Sequence, residues 1–203
     1  MENSAIFEKI ISLILAYLIG AIPWAYILVK LFKKIDIREV GSGNVGATNA
    51  FRAGGVVVGS LVAIFDILKG AIPTFVVLKL FGPNWAVFAA LFTMLGHSFT
   101  PYLGFKGGKG VATSVGAFAV IAPEAVGLGL AIWLIVLFLF RFVSLASILA
   151  VASAALYVLL TPHSVLIRCI LVAVAFVIVL RHKGNIERLI KRSEPKATFK
   201  RKQ

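Results

Sequence analysis

Seven apolar runs, parted by short polar connections, constrain this chain more than anything else in it. They cover about residues 6–31, 56–81, 85–103, 111–122, 125–140, 144–160 and 165–180. A helix needs roughly 17–25 apolar residues to cross a bilayer. The first three runs meet that length and the last three come close. The fourth is short, and requires either a thinned membrane or shielding by protein. With 60% hydrophobic residues and a mean hydropathy of +1.00, the 203 residues leave no room for a large soluble domain. The expectation is an all-α integral membrane protein, one transmembrane domain over 1–203. It has about seven spanning helices, one of them short, and a basic tail over about 181–203. The first run is no cleavable signal peptide, because it lacks a basic start and a small-residue cleavage site and continues past Pro23.

The connections set the expected orientation. Lys30, Lys33, Lys34, Arg38 and Arg52 lie between the first and second runs, Lys106 and Lys109 between the third and fourth, and Arg141 between the fifth and sixth. Every Lys and Arg after residue 180 lies in the tail; the remaining four are Lys9, Lys69, Lys79 and Arg168. The alternate connections, near 82–84, 123–124 and 161–164, hold neither Lys nor Arg. Basic loops stay in the cytoplasm, so seven crossings place the N-terminus outside and the tail inside. The net charge of +13 therefore belongs to membrane topology and does not point to nucleic acid. A lone cysteine, Cys169, lies within an apolar run, which excludes a disulfide framework and a cysteine-based metal site. No cofactor, metal or obligate protein partner is expected.

Within the apolar runs, Asp66 and Lys69 are three residues apart and close enough to pair on one helix face. Ionisable residues at membrane depth mark either a pathway or a packing pair, and both readings stay open. Gly127 and Gly129 suit close helix packing.

The chemistry sits in the connections. GSGNVGATNAFR, residues 41–52, concentrates Gly41, Gly43 and Gly46, which disfavour a helix through them and allow backbone N–H groups to converge on an anion. Ser42, Asn44, Thr48 and Asn49 add neutral hydrogen-bonding groups, and Arg52 adds a guanidinium able to grip phosphate with two bonds. FKGGKGVATS, residues 105–114, sets Lys106 and Lys109 around Gly107, Gly108 and Gly110 just before a helix start, a further phosphate-favouring arrangement. It lacks the nucleotide-binding GxxxxGK[ST] spacing. Ser144 follows a tight turn at Arg141, and RHKGNIERL, residues 181–189, puts His182, Asn185 and Arg188 on a surface helix after the last run. On the topology above, all four clusters share one face. A transporter places its polar groups near the midplane, and a membrane scaffold has no use for such loops. Two cationic glycine-rich loops suggest two phosphate-bearing ligands, or two phosphates in one site.

Taken together, GSGNVGATNAFR, DILKG at 66–70, GHSFTPYLGFKGGKGVATS from Gly96, RFVSLASI and RHKGNIERL resemble the bacterial acyl-phosphate:glycerol-3-phosphate acyltransferases over nearly the whole chain. One departure is IKRSEP near the end, where the family often has a glycine shortly before Glu194. The resemblance implies a multi-pass protein of the bacterial inner membrane with its site on the cytoplasmic face. It implies transfer of a fatty acyl group from acyl phosphate to the sn-1 hydroxyl of sn-glycerol 3-phosphate, without a metal or a thioester donor. The products are 1-acyl-glycerol 3-phosphate and phosphate. In that reading Arg52, Lys106, His182 and Asn185 hold glycerol 3-phosphate. Gly107, Gly108, Lys109, Gly110 and Ser144 hold the acyl phosphate head. Ser42, Asn44, Thr48 and Asn49 shape the first loop and donate to the developing oxyanion, and Gly43 and Arg188 complete the substrate-binding set. The two loops can exchange phosphates. The hydroxyl proton goes to His182 or, by preference, to the donor's own phosphate, since no Ser-His-Asp triad is legible.

Overall fold

The computed structural model describes residues 2–197, with side chains from residue 6 onward. Contacts group the chain into two compact units, Met1–Pro123 and Glu124–Gln203. All the regular structure described is helical.

The first unit opens with α1, Glu2–Ala21, and α2, Trp24–Lys33. The break falls at Pro23, which has no N–H to give to a helix. Two side chains satisfy carbonyls at the break: Thr100 Oγ1 donates to the Ala21 carbonyl at 2.7 Å and Lys69 Nζ donates to the Ile22 carbonyl at 2.8 Å. A 3₁₀ turn at Ile37–Glu39 leads to α3, Ala47–Phe81, which is interrupted at Gly55, where φ is 84°. The α4 helix, Pro83–Ser98, is followed by a 3₁₀ turn at Pro101–Leu103 and by α5, Val111–Ala119.

Glycines let these helices meet backbone to backbone. A Cβ on Gly20 would strike the Thr93 carbonyl, and one on Gly96 the Tyr17 carbonyl, so α1 and α4 pack through reciprocal glycines. The α3–α5 contact repeats the device, with Gly70 against the Thr113 carbonyl and Gly116 against that of Ile67. Small residues serve this purpose in membranes, where apolar side chains gain little by leaving lipid. A buried cluster including Val29, Ile37, Val58 and Val62 fills the space beneath the first glycine motif.

The second unit contains α6, Pro123–Phe140, α7, Val143–Leu160, α8, Val165–Arg181, and α9, Lys183–Ile190. Gly129 faces the Ala150 carbonyl of α7, whereas Gly127 faces open space. Of the two expected packing glycines, only Gly129 serves that role. Trp133 Nε1 donates to Ser147 Oγ at 3.2 Å across the α6–α7 contact. Phe138 is 83% exposed and Leu160 77%. Large apolar side chains open to this degree suit a lipid solvent.

All seven apolar runs appear as helix. Among the described residues, five stretches are long and apolar enough to cross a membrane: Ile6–Lys33, Ala47–Phe81, Pro83–Leu103, Pro123–Phe140 and Val143–Leu160. Val165–Arg181 and Lys183–Ile190, bent by 56° to one another, make a sixth if the pair is one span. The nine residues of α5 rise about 14 Å at 1.5 Å per residue, short of a hydrocarbon core about 30 Å thick.

Candidate active site

The first glycine motif folds as a loop over 41–46 followed by the start of α3. Thr48, Asn49 and Arg52 therefore stand on a helix, earlier than the expected helix start at residue 56. The reason is local: the glycines gather at 41–46 and again at 54–55, and the ATNAFRA between them has none. Gly41 and Gly43 have φ of 59° and 68°, left-handed values that a side chain strains to reach.

Asn49 shapes this loop from beneath. Its side chain is buried; Oδ1 accepts from the Ser42 N–H at 3.1 Å, and Nδ2 donates to the Ile37 and Val40 carbonyls at 3.1 and 3.0 Å. The carboxamide is fully committed to holding the loop. Ser42 Oγ accepts weakly from the Asn44 N–H at 3.4 Å. Asp36, at the entry to the loop, accepts from the Arg38 side chain and N–H, which hold its carboxyl down to about 2. Arg52 is exposed and forms no hydrogen bond or ion pair with the described residues.

In the second motif the glycines act by close approach. The Gly107 and Gly108 N–H groups donate to the Ser98 and His97 carbonyls at 3.2 and 3.1 Å, which satisfies acceptors at the end of α4. A Cβ on Gly107 would strike that same backbone. A Cβ on Gly108 would meet both the His97 imidazole and the Val45 carbonyl. Val45 belongs to the first motif; the two glycine-rich stretches, about sixty residues apart in sequence, are thus packed directly together. Gly110, with φ of 87°, begins α5. The Lys106 side chain is exposed and has no partner among the described residues.

The second unit gathers the other expected residues around a carboxylate. Ser144 Oγ and Asn185 Nδ2 donate to Glu194 Oε1 at 2.7 and 2.6 Å, and Arg188 Nε donates to Oε2 at 2.7 Å. Burial pushes the Glu194 carboxyl up, but these three hydrogen bonds and the Arg188 charge together hold it below its ordinary value. The tail is tied down further by the Ala197 N–H, which donates to the Arg141 carbonyl at 2.6 Å. His182 is buried at the α8–α9 bend with Nδ1 2.8 Å from the Ile178 carbonyl. A carbonyl only accepts, so Nδ1 carries a proton. Glu194 was missing from the sequence-derived set. Its one signal is that it stands alone among the Lys and Arg residues of the tail after residue 190.

Among the described residues no group of three His, Cys, Asp or Glu is placed to hold a metal. Asp66 and Lys69, both buried within α3, pair at 2.8 Å as their spacing predicts.

These features define a multi-pass helical membrane protein with its polar groups drawn to helix ends and glycine-rich turns. The family model for glycerol-3-phosphate acyltransferase matches residues 10–192. A glycerol-3-phosphate acyltransferase of Bacillus velezensis is 45% identical over 184 residues, covering 91% of this chain and 95% of that protein. The corresponding protein of Bacillus subtilis is 44% identical over 187 residues, 92% and 96% of the two chains. Among solved structures, the glycerol 3-phosphate form of PlsY (YgiH), an integral membrane glycerol 3-phosphate acyltransferase, matches with a TM-score of 0.91 and 39% identity, covering 94% of this chain and 96% of that one. The lysophosphatidic acid form matches with a TM-score of 0.87 and 37% identity over the same shares. The chain belongs to the glycerol-3-phosphate acyltransferase family.

Proposed function

We propose that the chain draws its acyl group from a fatty acyl phosphate and works at the cytoplasmic face of a bacterial inner membrane. That it is a glycerol-3-phosphate acyltransferase, forming lysophosphatidic acid, follows from its family. The donor, the membrane face and the residue roles are the proposal. The observation that carries it is the packing of Gly108 against Val45, which joins two cation-bearing glycine motifs. Two phosphate-bearing substrates that must react with each other need two cationic sites within reach, and these motifs supply them.

An acyl phosphate is a mixed anhydride, so its carbonyl is already activated. The sn-1 hydroxyl oxygen attacks that carbon, and the carbon–oxygen bond to phosphate breaks. The hydroxyl proton passes to a phosphate oxygen of the departing group, so hydrogen phosphate leaves and no protein nucleophile forms. The chain's part is then orientation and charge stabilisation. Arg52 and Lys106 grip the phosphate of glycerol 3-phosphate, and Gly107, Gly108, Lys109 and Gly110 border the acyl phosphate head. Ser42, Gly43, Asn44 and Thr48 line the first motif and donate toward the oxyanion, with Asn49 as their support. In the second unit, Ser144, His182, Asn185 and Arg188 are substrate-contacting residues. Their hold on Glu194 keeps three of them in fixed rotamers.

In the bilayer the seven runs make seven crossings, α5 included, with the N-terminus outside and the tail in the cytoplasm. The positive-inside distribution of the connections supports this, and so does the packing of α5 on α3, which shields it from lipid on that side.

The test is donor choice. Purified protein is given glycerol 3-phosphate with either palmitoyl phosphate or a palmitoyl thioester. The expected result is one phosphate released per lysophosphatidic acid formed from the acyl phosphate, unchanged by excess chelator. Product from the thioester alone would overturn the donor assignment.

A further inference from the structure

Asp66 and Lys69 take no part in the transfer described above, yet both are under 5% exposed. A pair that only cancels its own charge needs no third partner, and here contacts continue beyond it. Lys69 Nζ reaches both Asp66 Oδ1 and the Ile22 carbonyl at the α1–α2 break, each at 2.8 Å. The same Asp66 oxygen lies 3.7 Å from Nδ1 of His97, itself 6% exposed. The opposite nitrogen of that imidazole, Nε2, and the Val45 carbonyl both border the position that a Cβ on Gly108 would take. The Gly108 N–H donates to the carbonyl of the same histidine. An unbroken line of contacts therefore runs from α3 through the last turn of α4 to the junction of the two glycine motifs.

We propose that Asp66, Lys69 and His97 are positioning residues for the acyl transfer, with Asp66 and Lys69 orienting an imidazole that meets Gly108 and the Val45 carbonyl at one point and so fixes the spacing between the two cationic motifs. The proposal rests on the reading of those motifs as the phosphate site. None of the three side chains touches substrate. The imidazole bridges the ion pair and the glycine loop, with Nδ1 toward Asp66 and Nε2 toward Gly108. Gly108 is the contact point because a Cβ would occupy the space that ring and carbonyl fill.

The test separates positioning from helix packing. A buried ion pair replaced by apolar residues of similar volume often leaves stability unchanged or raised, whereas breaking it from one side is costly. The informative variant is therefore the pair Asp66→Leu with Lys69→Met, beside His97→Ala, the triple combination and Gly108→Ala. KM for each substrate, kcat and the unfolding midpoint are measured in one detergent. The expected result is a folded paired variant whose KM for at least one phosphate substrate rises about tenfold or more, with kcat changed much less, the signature of lost binding geometry. His97→Ala and Gly108→Ala show the same split. The triple variant matches His97→Ala within about twofold, because the pair acts only through the imidazole. Packing alone predicts wild-type KM values in the paired variant. That result in folded protein, or fully multiplicative effects in the triple variant, or loss of the fold in every variant, would overturn the proposal. Failure of the wild type to release phosphate is a different outcome, and it would bring down the underlying reading together with the proposal.

Discussion

At the scale of single residues, Arg52 is the clearest functional candidate, because it stands exposed on the first turns of α3 beside the glycine loop and no described residue neutralises it. A guanidinium makes two parallel bonds to phosphate where an ammonium is a point charge. Each hydrogen bond to a charged group contributes about 1.5–3 kcal/mol, so Arg52→Ala is expected to lose on the order of a hundredfold or more in kcat/KM. Arg52→Lys is expected to recover little, with the unfolding midpoint unchanged in both. If Arg52 were only an anchor at the membrane edge, lysine would serve equally well, and near wild-type activity in Arg52→Lys would remove it from the site. The motifs single out these residues, but not the contacts each of them makes in the fold. The glycines of 107–108 read as sources of N–H donors, yet their N–H groups are spent on the end of α4 and their missing side chains are what matters. That use depends on His97 and Val45, partners that no local spacing reveals.

At the scale of elements, each of the seven apolar runs is helical, because apolarity sustained over a span is a strong and simple signal. The early start of α3 and its break at Gly55 were not legible. The run begins at Val56, and the preceding 47–54 is helical without being uniformly apolar. Nor was the role of the tail, since Glu194 acts through residues up to fifty positions away. Its carboxylate links the starts of α7 and α9 to the chain beyond α9, and this gives a pH dependence. The folded carboxyl lies below its ordinary 4.5. Such a depressed group contributes stability in full above the unfolded value and loses it as pH falls through the folded one. The unfolding midpoint should therefore drop below about pH 4.5, more steeply in wild type than in Glu194→Gln. At neutral pH Glu194→Gln should be less stable and less active, because Arg188 loses its counter-charge and the rotamers of Ser144 and Asn185 lose their anchor. A Glu194→Gln protein with wild-type activity and the same acid profile would show that this carboxylate organises nothing.

At the scale of the whole molecule, the proposed orientation has the basic connections and the chemistry facing the cytoplasm. The distribution of Lys and Arg is what suggests that orientation; length and apolarity give five or six spans among the described residues, and α5 is too short to be counted with them. Orientation is checked by placing single cysteines at Ser164 and Ser193 in a Cys169→Ser background, Cys169 being exposed. An impermeant reagent outside intact cells should label the first and spare the second. The most direct measurement then uses glycerol 3-phosphate itself, a charged molecule that does not cross a sealed bilayer unaided. Membranes carrying the protein are prepared as sealed vesicles of both orientations and given acyl phosphate and glycerol 3-phosphate from outside. The account predicts lysophosphatidic acid and phosphate from inside-out vesicles at once, and from right-side-out vesicles only after permeabilisation. Product from sealed right-side-out vesicles, with inside-out vesicles silent until opened, would contradict it.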